Sequence, residues 1–288
     1  MTVTGAVQLR TSPLRERMPR LARTRAGCAG LAMIAIVLAV ALVGPLVAPH
    51  APDEPIGPPG AAPSSSAPLG TDFLGRDILS RLLHGGVAMV TVTCLAILLT
   101  YLVGVSAGLL AGFRRGLVES VVMRSVDLLM SFPPLLFLLV LIVGAGESPA
   151  TVVVGIVAVL SAPLARVVYA ATLEASGASY VEAARIRGER TGALLAREIL
   201  PNIVPYVLAS FGSYVSGAII FAASLSFLGL GPQPPTADWG LMIYENQPVL
   251  ATNIWAVLAP AAMIGLVTIG VNLVGDAYAR VHGISDAG

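Results

Sequence analysis

An all-α protein that crosses a membrane six times is what this sequence predicts, on three observations. Of its 288 residues, 56% are hydrophobic and 11% charged, against roughly 25% charged in an ordinary soluble domain. The apolar residues gather into six runs of about 20 or more, each long enough to cross roughly 30 Å of hydrocarbon at about 1.5 Å per residue. The charged residues collect between those runs, and the basic ones fall almost wholly in alternate connections.

Residues 1–26 carry Arg10, Arg15, Arg17, Arg20, Arg23 and Arg25 against the single acid Glu16, the composition of a basic tail held on the cytoplasmic side. Span one is 27–48, 22 residues; the apolar core of a cleaved signal peptide would be about 7–15 residues, so this run reads as an anchor. Residues 49–70 carry seven prolines and Ser64–Ser66 and are expected to be extended and exposed. The stretch 69–86 follows, with Leu74, Ile78 and Leu82 on one helical face and Asp77 and Arg81 as an i,i+4 pair on another. That pattern predicts a helix lying on the membrane surface.

Span two is 87–112, and span three is 117–144 after a turn with Arg114 and Arg115. Pro133 and Pro134 should kink span three, and Arg124 and Asp127, spaced i,i+3 in its first turns, predict an intramembrane ion pair. Span four is 151–171, interrupted by Pro163 and ending near Arg166.

A charged loop, 173–202, separates it from span five. Ser179 followed by Glu182 has the form of a capping box, Gly188 is a residue type that ends helices, and Pro201 can open a helix but not sit inside one. Two short helices with a bend between them are therefore expected. Span five is 203–230 and cannot remain helical past Gly231 and Pro232. Span six is 255–274, with Pro260 inside it and Asn272 and Asp276 near its exit, before a tail over 279–288.

Six spans put both termini on one side. Alternate assignment of the connections places fifteen arginines with the termini and only Arg76 and Arg81 opposite, which orients the termini and the 173–202 loop to the cytoplasm.

Several chemistries are excluded. Net charge is +1, so nothing electrostatic favours nucleic acid, and all 17 basic residues are arginine. Without lysine the chain has neither a phosphate-binding GxxxxGK[ST] loop nor a Schiff-base catalyst. Cys28 and Cys94 lie in apolar runs without CxxC or CxxH company and read as inert buried thiols. Gly104-Val105-Ser106-Ala107-Gly108 matches the GxSxG nucleophile elbow, the alternative being an intramembrane serine protease acting through Ser106. A nucleophilic serine needs a base within about 3 Å, yet His50, His84 and His282 all lie outside the spans, where they also lack metal-ligand spacing. Gly104, Gly108 and Gly112 read better as a small-residue face for close helix packing.

Glu182-Ala183-Ala184, then Gly188 and Ile199-Leu200-Pro201-Asn202, resemble the EAA loop of binding-protein-dependent ABC importer permeases. Leu69-Gly70-Thr71-Asp72, Leu74-Gly75-Arg76-Asp77, Ser80-Arg81 and the run LSFLGLGPQPPTADWG are similar to the dipeptide, oligopeptide and nickel branch, and most nearly to the dipeptide permease subunit that pairs with a second, homologous permease. The resemblance spans residues 26–278 and implies the type I importer fold. It implies two ABC ATPase subunits or domains that hold ATP and Mg, an extracytoplasmic substrate-binding protein, a bacterial inner-membrane location, and no cofactor on this chain. It makes Glu182, Ala183, Ala184, Arg185, Arg187, Gly188, Leu200 and Pro201 the ATPase-coupling residues, with Glu182 and the alanines facing the ATPase and Gly188 allowing the bend. A nickel or chelated-metal importer is the alternative within the branch. Three departures stand out: Ala222, where relatives often carry glutamate, Glu198, where they often carry histidine, and the ending 281–288.

Overall fold

The computed structural model describes residues 24–281; most of the expected basic tail and the ending from His282 onward lie outside the described residues. Helices carry the fold, in the order α1 (Arg25–Val47), α2 (Ile78–Arg114), α3 (Leu117–Ser131), α4 (Pro134–Ala145), α5 (Pro149–Ser176), α6 (Ser179–Ile186), α7 (Thr191–Ala209), α8 (Phe211–Phe227), α9 (Trp239–Glu245) and α10 (Trp255–Val281). Among the described residues five helices, α1, α2, α5, α7 and α10, have the length and apolarity of a crossing, and α3 with α4 makes a sixth if the bent pair is one crossing; the expected span five over 203–230 is instead divided between the end of α7, which begins within the expected loop 173–202, and the shorter apolar helix α8. The expected architecture holds, with several elements redrawn.

Span three is broken rather than kinked: α3 and α4 meet at 93°. Two adjacent prolines explain this, because a residue preceding proline is pushed out of the α region. Phe132 precedes Pro133 and Pro133 precedes Pro134, so two successive residues are extended, at ψ 138° and 124°. The lone Pro163 and Pro260, by contrast, sit inside continuous helices, so span four is not interrupted. A single proline frees only one carbonyl, a loss that a spanning helix packed among neighbours tolerates.

There is no separate surface helix before span two. Asp77 is the N-cap of α2, accepting from the Ser80 amide at 3.0 Å and the Ser80 hydroxyl at 2.6 Å, and the helix then runs 37 residues without a break. At about 1.5 Å per residue that length exceeds the hydrocarbon thickness, so its ends project from it.

Close packing comes from small residues. On α2, a Cβ at Gly104 would lie 3.0 Å from Leu164, one at Gly108 2.5 Å from the Ala165 carbonyl, and one at Gly112 2.7 Å from Thr172, all on α5. The four-residue glycine spacing is thus the seam along which α2 and α5 approach, as expected of a GxxxG face. Around it, Leu138, Ile142, Ile156, Ala218 and Leu225 make one buried cluster. A second gathers Leu164, Val168, Val181, Ala184, Leu194, Ile199, Ile203 and Val207 at the α6–α7 end. Leu42, Leu46, Val140 and Val143 are exposed on the helices' outer faces, as lipid contact requires. Cys28 and Cys94 are also on exposed faces, correcting the expectation that they are buried.

Candidate functional site

The segment from Ser179 to Ala209 is built as a bent pair of helices packed on one end of the bundle. α6 starts a residue earlier than the capping-box reading places it: Ala178 is the N-cap, no side chain caps the helix, and Ser179 is its first residue. The Glu182 carboxylate is therefore not spent on a cap, and it is exposed. Val181 and Ala184, three residues apart and so on one face, are fully buried against Leu164 and Val168 of α5.

The helix ends in a Schellman arrangement, with Gly188 N–H donating to the Arg185 carbonyl at 2.9 Å and Glu189 N–H to the Ala184 carbonyl at 3.3 Å. Gly188 has φ of +79°, and a Cβ there would meet nothing within 4 Å. The bend is thus set by backbone conformation rather than by crowding. Arg187 pairs with Glu189 at 2.8 Å, and the Arg185 guanidinium lies 5.1 Å over the Phe113 ring of α2.

Beyond the bend the chain does not stop at Leu200. α7 passes through Pro201 by way of a π-helical stretch, Leu194–Ile199, in which Leu200 N–H donates to the Leu195 carbonyl. Proline cannot supply the amide that an α register would ask of it; a π turn just before it shifts the pattern by one residue and keeps the helix whole. The expected break at Pro201 is thus a change of helical register. Val181 and Ala184 share a buried cluster with Leu194 and Ile199, which places α6 beside the π stretch; burial raises the Tyr180 phenol, the nearby Glu198 carboxylate adds to the rise, and a hydrogen bond with Asn202 opposes it.

Of the residues expected to couple to an ATPase, Glu182, Ala183, Arg185, Arg187, Gly188 and Pro201 are exposed. Ala184 is wholly buried and Leu200 half-buried, so those two hold the segment onto the bundle and do not face outward. Reasoning from the sequence missed Ile186, which is 82% exposed at the end of α6.

Asp127 does not pair with Arg124. Its carboxylate is taken by Arg166 of α5, with side chains 59% and 49% exposed. An i,i+3 partner is only one candidate for a charge on a helix that packs beside another.

Ser106 lies mid-helix in α2, exposed. His84 is 22 residues earlier on the same helix, about 33 Å away at 1.5 Å per residue, and its ring contacts the Ser80 carbonyl at 2.8 Å. No base reaches Ser106 from there.

At the opposite end of the bundle the two long loops are locked together. Arg76 Nε and Arg81 Nη1 both reach Asp72 Oδ2 at 2.6 Å, while Arg76 Nη2 and Arg81 Nη2 lie 3.2 and 2.7 Å from Glu245 Oε2. Asp72 and Arg81 are 0% exposed. The Arg81–Glu245 contact is ionic rather than an aligned hydrogen bond. Asn253 Nδ2 donates to the Ala61 and Leu69 carbonyls at 3.1 and 2.9 Å, and Trp239 Nε1 donates to the Leu82 carbonyl at 2.8 Å. The proline-rich stretch is consequently not a free, exposed strand: its backbone is pinned by Asn253 and by bonds such as Ile56 N–H to the Gly75 carbonyl at 2.8 Å. Asp238, the N-cap of α9, accepts from the Gly240 and Leu241 amides at 3.0 and 3.1 Å; burial raises its carboxyl, and those bonds oppose the rise.

Residues 104–283 match the family described as the binding-protein-dependent transport system inner membrane component, and residues 12–63 match the N-terminal TM domain of oligopeptide transport permease C. The chain is 33% identical over 272 residues to the di/tripeptide transport system permease protein DppC of Pseudomonas aeruginosa (strain UCBPP-PA14), covering 92% of this chain and 90% of that protein. It is 34% identical over 268 residues to the glutathione transport system permease protein GsiD of Pectobacterium atrosepticum, covering 92% and 89%. With the dipeptide transport system permease protein DppC of Bacillus subtilis (strain 168) it shares 31% over 259 residues, covering 89% and 81%.

Proposed function

The chain belongs to the binding-protein-dependent transport system inner membrane components, and we propose that it is the permease subunit of an ATP-driven importer of di- or oligopeptides. The observation that carries the reading is α6: one face, Val181 and Ala184, is fixed in the bundle, while Glu182, Ala183, Arg185 and Ile186 stand exposed beside a bend with no steric fill. An apolar bundle has no internal use for that charged, outward-turned helix. A partner ATPase that closes on binding ATP would press on it and rock the spans between outward- and inward-facing states. The peptide reading ranks above nickel because the relatives named above are peptide and glutathione permeases.

In this reading the chain needs a homologous permease, two ATPase subunits carrying ATP and Mg, and an extracytoplasmic binding protein. Both termini and the 173–202 segment are cytoplasmic, and the 49–86 and 231–254 segments face the binding protein. The five crossings within 87–278 form the permease core, with 27–48 as an added anchor. Glu182, Ala183, Arg185, Arg187, Gly188 and Pro201 form the ATPase contact, and Ala184 and Leu200 support it from inside.

The test is to purify the tagged chain in mild detergent, with its neighbouring genes co-expressed. A lysine-bearing P-loop ATPase is expected to co-purify and to be lost on Glu182→Arg, since charge reversal at a contact typically costs several kcal/mol. A chain that purifies folded and alone would overturn the assignment.

A further inference from the structure

We propose that Tyr101 is the positioning residue of a joint at Ser210, through which movement of the α6–α7 segment reaches the membrane core. The inference rests on the importer reading above. α7 ends at Ala209 and α8 begins at Phe211, so Ser210 alone separates them. Val207 is among the last four residues of α7, whose carbonyls have no donor within their own helix. The Tyr101 hydroxyl, from α2, donates to that carbonyl at 3.3 Å. Its ring lies 5.5 Å from Phe211 and 6.0 Å, edge-on, from Tyr214. One side chain of a neighbouring helix thus holds the last turn before the interruption and the first turns after it.

The same residue sits between two bodies of packing. The cluster around Val181, Ala184, Leu194 and Ile199 joins the coupling segment to Leu164 and Val168 of α5, and the cluster around Leu138, Ile156, Ala218 and Leu225 lies further along the spans. Tyr101 and Tyr214 pack against both. Packed cores transmit displacement as units rather than deforming smoothly, so relative motion of the two must be accommodated where they meet. The one-residue interruption of the helical ladder at Ser210, whose own backbone stays in the right-handed region at φ −83° and ψ −6°, is the natural place, because the two helices can re-angle there without leaving that region. A hydroxyl donating to a freed carbonyl sets the angle there without adding bulk that would resist motion.

Tyr101→Phe keeps the ring and its contacts and removes only the donor. Two readouts decide the proposal in the complete complex. The first is the distance distribution between spin labels at Gly192→Cys and Phe227→Cys, in a Cys28→Ser, Cys94→Ser background. It is expected to broaden on Tyr101→Phe, and an unchanged distribution would overturn the joint. The second is peptide uptake per ATP hydrolysed in liposomes, expected to fall about fivefold or more while hydrolysis stays within about twofold, a coupling loss of about 1 kcal/mol by the usual tenfold per 1.4 kcal/mol. A merely structural role would lower uptake and hydrolysis together; an unchanged ratio also overturns the proposal. If the unaltered complex hydrolyses ATP but imports no peptide, the importer reading fails, and the spin-label distances still decide the joint.

Discussion

Arg81→Met is expected to destabilise the chain by about 3–5 kcal/mol, the cost of stripping one partner from a buried ionic group and leaving the other uncompensated. The geometry sets the size of the effect. Arg81 faces Asp72 at 2.6 Å and Glu245 at 2.7 Å, one carboxylate from each long loop, and it has no solvent to retreat to. Without it, Asp72 keeps Arg76 as its one cation beside the Leu74 and Arg76 amides, and two buried acids share one guanidinium. The melting midpoint of the detergent-solubilised chain should fall by many degrees, or the chain should fail to accumulate.

Arg81→Lys separates charge from shape. A lysine preserves the cation but cannot fork toward two carboxylates at once, so a smaller loss is expected, with one loop released. Adding Glu245→Gln to Arg81→Met removes a charge of each sign, leaves the Arg76–Asp72 pair, and should recover part of the stability. A midpoint unmoved by Arg81→Met would show that the four charges do not hold the loops together.

That cluster marks where sequence reasoning stops. Arg76 and Glu245 are 169 residues apart, and no periodicity relates them; an i,i+4 rule assigned Arg81 to Asp77 because only neighbours along one helix are visible in a sequence. Asp77 instead caps its helix, a role its position just before an apolar run could have suggested. The error at Asp127 has the same form, since Arg166 lies on another helix. What the chain does locally was legible. The run beginning at Gly27 became Arg25–Val47, the glycines of α2 became a packing seam, and the proline pair marked the break in span three though not its angle. In the 173–202 segment the bend at Gly188 was readable from residue type. That Ala184 faces inward was readable too, because Val181 and Ala184 share the apolar spacing of a helix face, although the Glu182-Ala183-Ala184 motif does not by itself distinguish the two alanines. The π stretch was not readable, because its cause lies in the competition between Pro201 and a helix that tertiary packing keeps intact.

Substitutions at Gly188 should rank uptake by backbone cost alone. A side chain there meets nothing within 4 Å, and φ is +79°, so no steric term confuses the comparison. Asparagine tolerates the left-handed region, and Gly188→Asn should keep most of the activity. Gly188→Ala faces a penalty of about 1–2 kcal/mol for that conformation; part of the population would leave the bent geometry, and uptake should fall severalfold. Gly188→Pro cannot adopt it, because the ring holds φ near −65°, and its missing amide also removes the bond to the Arg185 carbonyl. The helix pair must then re-form along another line, α6 no longer presents Glu182 at the proposed ATPase contact, and on that proposal uptake should vanish. Because Gly188 itself lies outside the buried clusters, insertion should be nearly unchanged in all three, while melting falls slightly for alanine and further for proline, since the helices on either side supply Val181, Ala184, Leu194 and Ile199 to one cluster. Membrane abundance and ATP-dependent peptide uptake, measured side by side, make the distinction. Equal uptake in Asn, Ala and Pro variants would mean that the bend is not what the partner engages, whereas loss of abundance in parallel with uptake would mean that Gly188 serves folding instead of coupling.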